Sequence, residues 1–117
     1  MSPLTITTQA AAPGETTFRA RASRTDATAL IAFRGELDLA AAPRAAAALR
    51  RQLDAGVTDL LVDLADVDHL DCAGLATLIE VAREAQAIGA RVYLFRAHGR
   101  PGELIQWARE RCAIAGL

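Results

Sequence analysis

The sequence predicts an α/β sandwich, a mixed sheet of four to five strands packed with about three main helices. Two observations carry that expectation. Short stretches with two-residue alternation or continuous apolar character ("TFRARAS", "DLLVDL", "RVYLF") are interleaved with longer stretches whose apolar residues recur at helical spacing. Their order, β-β-α-β-α-β-α, requires crossovers, so part of the sheet must be parallel.

Residues 1–15 mix Thr, Ala, Pro and Gly without sustained periodicity and read as a flexible tail, leaving 16–117 as the folded domain. Within that tail a few residues around Leu4 to Thr8 are candidates for an edge strand. In "TFRARAS", Phe18, Ala20 and Ala22 face one way and Arg19 and Arg21 the other, the mark of a half-buried strand. The polar turn "RTDA" leads into a second strand, "TALIAFRG", and the two are expected to form an antiparallel hairpin.

Pro43 suits the first turn of a helix, where its missing N–H has no intrahelical partner. Leu49 and Leu53 are i, i+4 neighbours on that helix, and Gly56 is placed at its C′ position. "DLLVDL" reads as a strand buried on both faces, and "ADVDHL" as a loop. A second helix is expected over 72–88. Leu75, Leu78, Ile79, Ala82, Ala85 and Ile88 form its apolar stripe, while Thr77, Glu80, Glu84 and Ala87 face away. Gly89 ends it. "RVYLF" is a strand, "RAHGRPG" a loop, and a last helix turns Leu104, Ile105 and Ala108 inward.

At 117 residues the chain is long enough for one core without staples. It is 52% hydrophobic, largely through Ala, and only 4% aromatic, so its helices are expected to pack closely through small side chains. A net charge of -1 argues against a surface built for phosphate backbones, so no nucleic-acid partner is expected. Two cysteines are too few for a disulfide scaffold. The N-terminus lacks a secretory pattern, and no apolar run approaches the ~18 residues of a membrane span. A cytoplasmic protein without membrane insertion is the expectation.

Two segments are candidates for function. In "DVDHLDCAGLATLIE", an acidic loop becomes a helix at Asp71, whose carboxylate is placed to cap the first turn, a contribution of ~1 kcal/mol. The free amides at such an entrance also hold anions, so hydroxyls there would be natural phospho-acceptors. Cys72 and Ala73 stand in those places instead. In "FRGELDLA", Glu36 and Asp38 lie where the chain crosses the end of the sheet, as a solvated turn or as an acidic patch for a basic partner.

The strings "GELDLAAAPRAAAALRRQL", "LLVDLADVDHLDCAGLATLIEVAREAQAIGARVYLF" and "LIQWARERCAIAGL" resemble the STAS domain family, over about Phe18 to Leu117. G-E-L-D together with V-D-L…L-D-x-x-G-L, at this spacing, is the specific part of the match. The resemblance implies a compact α/β fold with no catalytic activity of its own and no cofactor. In the family's anti-sigma factor antagonist branch, the domain binds an ATP-using anti-sigma factor kinase and so frees a sigma factor. That kinase phosphorylates a Ser or Thr at the start of the second long helix, which breaks the complex. The site maps onto Cys72 and Ala73, between Asp71 and Gly74, so this chain departs from the pattern by lacking the hydroxyl. The implied partner-binding face comprises Glu36, Asp38, Leu39, Asp71, Cys72, Ala73, Gly74 and Leu75. In it Asp71 orients the loop, Cys72 and Ala73 supply a small contact surface, and Gly74 admits a partner's backbone.

Two other readings remain. STAS-like domains also serve as scaffolds or regulatory subunits in stress-signalling assemblies and beside lipid-transport ATPases. A thiol enzyme or redox sensor would use Cys72, since a helix N-terminus favours a thiolate. Against it, "CAGLATL" offers no Arg to cradle a phosphate, and His69 is the only nearby base, itself a candidate for a plain loop histidine. His69, Cys72, His98 and Cys112 lack the recurring close pairs of a metal site, and "HGRPG" departs from the phosphate-loop pattern, so no metal or cofactor is expected.

Overall fold

A computed structural model describes residues 7–9 and 18–112. Five strands form one sheet in chain order: β1 (Thr7–Gln9), β2 (Arg19–Thr25), β3 (Thr28–Leu37), β4 (Asp59–Leu70) and β5 (Arg91–Phe95). β2 pairs antiparallel with both β1 and β3, whereas β3, β4 and β5 run parallel. The helices α1 (Ala42–Asp54) and α2 (Cys72–Ala87) supply the two crossovers, and α3 (Gly99–Arg111) follows β5.

The hairpin forms as its alternation predicts. A two-residue turn, Asp26–Ala27, joins β2 to β3, and Asp26 takes φ 54°, the left-handed conformation that tight hairpin turns need and Asp tolerates. Ala20, Ala22, Ile31, Phe33, Leu60, Val62, Val92 and Leu94 point to one face and are buried. Against them lie Ala45, Leu49 and Leu53 of α1 and Leu78, Val81, Ala82 and Ala85 of α2. Alanines at the contacts let helix and sheet approach closely. Pro43 stands in the first turn of α1, and Gly56 and Gly89 sit at C′.

Several expectations need correction. The first is one of place: the edge strand expected around Leu4 to Thr8 is found at Thr7–Gln9, paired with β2, and residues 1–6 and 10–17 lie outside the described residues. "ADVDHL" is not a loop: β4 continues through it to Leu70, because β3 also runs on through "GEL" and supplies the partner strand. The chain accommodates this by a register shift at Gly35, whose φ is 95°, reached at little cost only without a Cβ. "DLLVDL" is not buried on both faces, since Leu60, Val62 and Leu64 are buried while Leu61 is half-exposed. α3 begins at Gly99, so only Arg96 to His98 of "RAHGRPG" form a connection. There His98 Nε2 lies 2.8 Å from the Ala65 carbonyl oxygen, fastening the helix start to β4.

Glu80 and Glu84 do face away from the sheet, but toward α1. Arg50 Nε donates to Glu84 at 2.8 Å and its Nη2 to Glu80 at 2.9 Å. This pairing raises the Arg50 pKa and lowers that of Glu84. All three are largely exposed, so solvent screening leaves the network a small share of stability.

An exposed arginine paired with a buried carboxylate closes the end of β5. Arg96 forks onto Asp63, with Nε to Oδ1 at 3.1 Å, and Asp63 also accepts the Ala65 amide at 3.0 Å. The Arg96 hydrogen bond holds the Asp63 pKa below the usual carboxylate range, against desolvation. A depressed folded pKa stabilises the fold above the unfolded value, ~4, and that contribution is lost as pH falls through the folded value. Asp63→Asn is therefore expected to lower the melting temperature at pH 7 and to flatten its decline below about pH 4. Parallel acid-unfolding curves for the two proteins would refute this.

Candidate functional site

The two acid-rich segments meet at the end of the sheet where β3 and β4 leave it. Glu36 pairs with His69 and Leu37 with Leu70 in the last parallel rungs. Beyond them each strand turns into a helix. Asp38 builds the first turn: its Oδ1 accepts the Ala41 amide at 3.0 Å, and its carbonyl accepts that of Ala42 at 2.8 Å.

Asp71 is extended, as an N-cap must be, and its Oδ1 accepts the Gly74 amide at 2.8 Å. Its other oxygen reaches across the site to the Leu39 amide at 3.2 Å. One carboxylate thus caps α2 and fastens the bend ahead of α1. The Asp71 amide in turn donates to the Leu37 carbonyl at 3.4 Å.

The structure brings all eight residues of the sequence-based face together but presents them unequally. Leu39 is 73% exposed, an unusual position for a leucine, and Cys72 is exposed beside it. Glu36, Asp38, Asp71 and Ala73 are half-buried, while Leu75 is buried. Gly74 is also buried, and its expected role needs correction. A Cβ there would stand 2.2 Å from the Leu37 carbonyl oxygen and 2.9 Å from Leu70 Cδ1. The backbone that uses the missing side chain is the chain's own.

The residues missed by sequence reasoning belong to α3. Arg100, Glu103, Leu104 and Trp107 form one wall of a groove of about 360 Å³, and Cys72 and Leu75 form the other. Trp107 is 49% exposed, with the Arg111 guanidinium 4.8 Å above its ring. A lone Trp in a chain with 4% aromatic residues was the available signal. None of the described hydrogen bonds links Cys72 to a base or cation, and His69 points out from β4, exposed. Among the described residues no group of His, Cys, Asp and Glu gathers as a metal site requires, and no helix is long and apolar enough to cross a membrane.

The fold has known counterparts. The structure of the anti-sigma factor antagonist SpoIIAA in its unphosphorylated form aligns with a TM-score of 0.68 and 21% identity, over 77% of this chain and 80% of that one. The phosphorylated form of the Bacillus cell fate determinant SpoIIAA aligns at 0.64 with 21% identity, over 76% and 82%. An anti-sigma factor antagonist from Mycobacterium paratuberculosis aligns at 0.63 with 22% identity, over 86% of each chain. At these identities the likeness is one of fold. No curated protein sequence matches. The STAS domain profile matches residues 19–109, most of the length and both segments of the site, and the chain belongs to the STAS domain family.

Proposed function

We propose that this chain is a non-catalytic protein-binding module of bacterial signalling, an anti-sigma factor antagonist whose partner is an anti-sigma factor kinase. The observation that carries the reading is the Asp71 carboxylate, whose two oxygens fasten Leu39 and Gly74 into one preorganised surface. Little side-chain ordering is then left for the moment of binding. The exposed Leu39 and the groove beside Cys72 offer apolar anchors, with Glu36 and Asp38 as an acidic rim. Membership of the STAS family and the likeness of fold to anti-sigma factor antagonists support the assignment.

One of those related structures is of a phosphorylated protein, whereas this chain has Cys72 and Ala73 where the family resemblance places the hydroxyl. In this chain the surface stays in the unmodified-like state. Incubation with the kinase and ATP is expected to leave residues 66–80 without phosphate. Thr77, the one hydroxyl in that stretch, lies inside α2 beyond the free amides. Stoichiometric phosphate there by intact-mass analysis would refute the expectation.

Cys72 acts as a contact, not as a nucleophile. Cys72→Ser keeps shape and is expected to retain kinase affinity within about tenfold, ~1.4 kcal/mol. A measurable turnover abolished by that change would reverse the assignment. Direct titration of the chain with the purified kinase tests the function as a whole. Stable co-purification with a transporter ATPase or a stress-assembly subunit, and no binding to the kinase, would overturn it.

A further inference from the structure

The sheet has a second face, and among the described residues no helix packs on it. α1 and α2 lie on the other side, and α3 borders α2 across the groove and is tied to β4 at the Ala65 carbonyl and to β5 at the Leu94 carbonyl. Parallel sheets are ordinarily covered by helices on both faces, because their strands are apolar on both. Here β3, β4 and β5 are parallel, and their register places Leu30, Leu61 and Tyr93 in one row across this face. Leu30 is 38% exposed, and Leu61 and Tyr93 are half-exposed. The row has the composition of a contact whose second layer is missing.

Charge says what kind of layer fits. Two rungs along the strands, Arg19 and Arg34 stand directly opposite each other, with Arg21 one rung nearer to the apolar row. All three are exposed, and like charges directly opposite destabilise a strand pair. They surround a cavity of about 170 Å³ in which Asp66 is the one carboxylate. None of the three makes an ion pair or side-chain hydrogen bond among the described residues. The neighbouring Asp63 is already held by Arg96. A chain of net charge -1 therefore gathers three arginines against one carboxylate, Asp66 opposite Arg34, at one end of an apolar strip.

We propose that this face docks an acidic amphipathic helix of a partner protein. Its apolar stripe lies over Leu30, Leu61 and Tyr93, and its carboxylates meet Arg19, Arg21 and Arg34. A helix about 10 Å across covers the two ~4.8 Å spacings from β3 to β5, the long Arg19 and Arg21 side chains reach it from β2, and Leu30 and Arg34 are ~13 Å apart along β3, within three helical turns. The surface is separate from the α2 entrance and stands whether or not a kinase binds there.

The test is an NMR titration of the isotope-labelled full chain with a synthetic helix of about 14 residues, Leu at i, i+3, i+4 spacing and Glu elsewhere. Saturable shifts are expected at residues 19–21, 30–34, 61 and 93, weakening at about 0.5 M salt. Arg19→Glu with Arg34→Glu, both at exposed positions, is expected to reduce affinity at least about tenfold with the melting temperature held, and Ala73→Asp to leave it unchanged. No shifts, shifts centred on α2, or affinity indifferent to the charge reversals would overturn the proposal. It is equally overturned if a single-stranded oligonucleotide occupies the face more tightly, if the free chain shows concentration-dependent shifts there, or if Arg19→Glu alone moves amides of residues 1–5, 11–15 or 113–117, away from its β1 and chain neighbours.

Discussion

Ala73→Asp is expected to cost at least about a hundredfold in affinity for the kinase while leaving the fold intact, because binding and folding treat a new carboxylate oppositely at this place. Ala73 is in the first turn of α2, where the helix dipole favours negative charge by a few tenths of a kcal/mol, offset by the neighbouring Asp71. Its side chain is half-exposed, so the carboxylate finds water in the free protein. In the proposed complex it would lose that water against the partner, and an unpaired buried charge costs several kcal/mol. Thermal unfolding and affinity are measured on one preparation, with Gln86→Ala as control. Glu84 is unsuitable for that purpose because it carries the Arg50 bridge between helices. Unchanged affinity with an intact fold would place the binding face elsewhere.

Gly74→Ala is expected to destabilise the domain by about 2–3 kcal/mol or more, although Ala is the better helix former by ~1 kcal/mol. The new Cβ meets the Leu37 carbonyl at 2.2 Å, and this atom belongs to the end of a paired strand, not to a side chain that can swing aside. Relief requires α2 to withdraw, which lengthens the Asp71 bonds to Leu39 and Gly74 together. Affinity is expected to fall with stability, and the melting temperature by roughly 10 °C or more. Had Gly74 served a partner's approach, the variant would melt like the parent and only binding would suffer. A melting curve superimposable on the parent's would restore that earlier role.

Two-residue alternation in "TFRARAS", the continuous "RVYLF", the Leu49–Leu53 pair behind Pro43 and the stripe from Leu75 to Ala85 determined the α/β class, the hairpin and the two crossover helices. Each of these signals is local, set by which side chains must leave water. The capping role of Asp71 was legible for the same reason, since a cap bonds its own next turn. The extent of β3 and β4 was not. "GEL" and "ADVDHL" are as polar as loops and become strands only because each supplies the other's backbone partners, about thirty residues away in the chain. The second bond of Asp71, to Leu39, and the contact that excludes a side chain at Gly74 follow from that pairing. The same holds for the groove between α2 and α3. The residues from Glu36 to Leu75 proposed as a docking surface were thus named from the sequence and its family resemblance. Only the tertiary structure decided which of them face outward, because burial depends on what the rest of the chain packs against them.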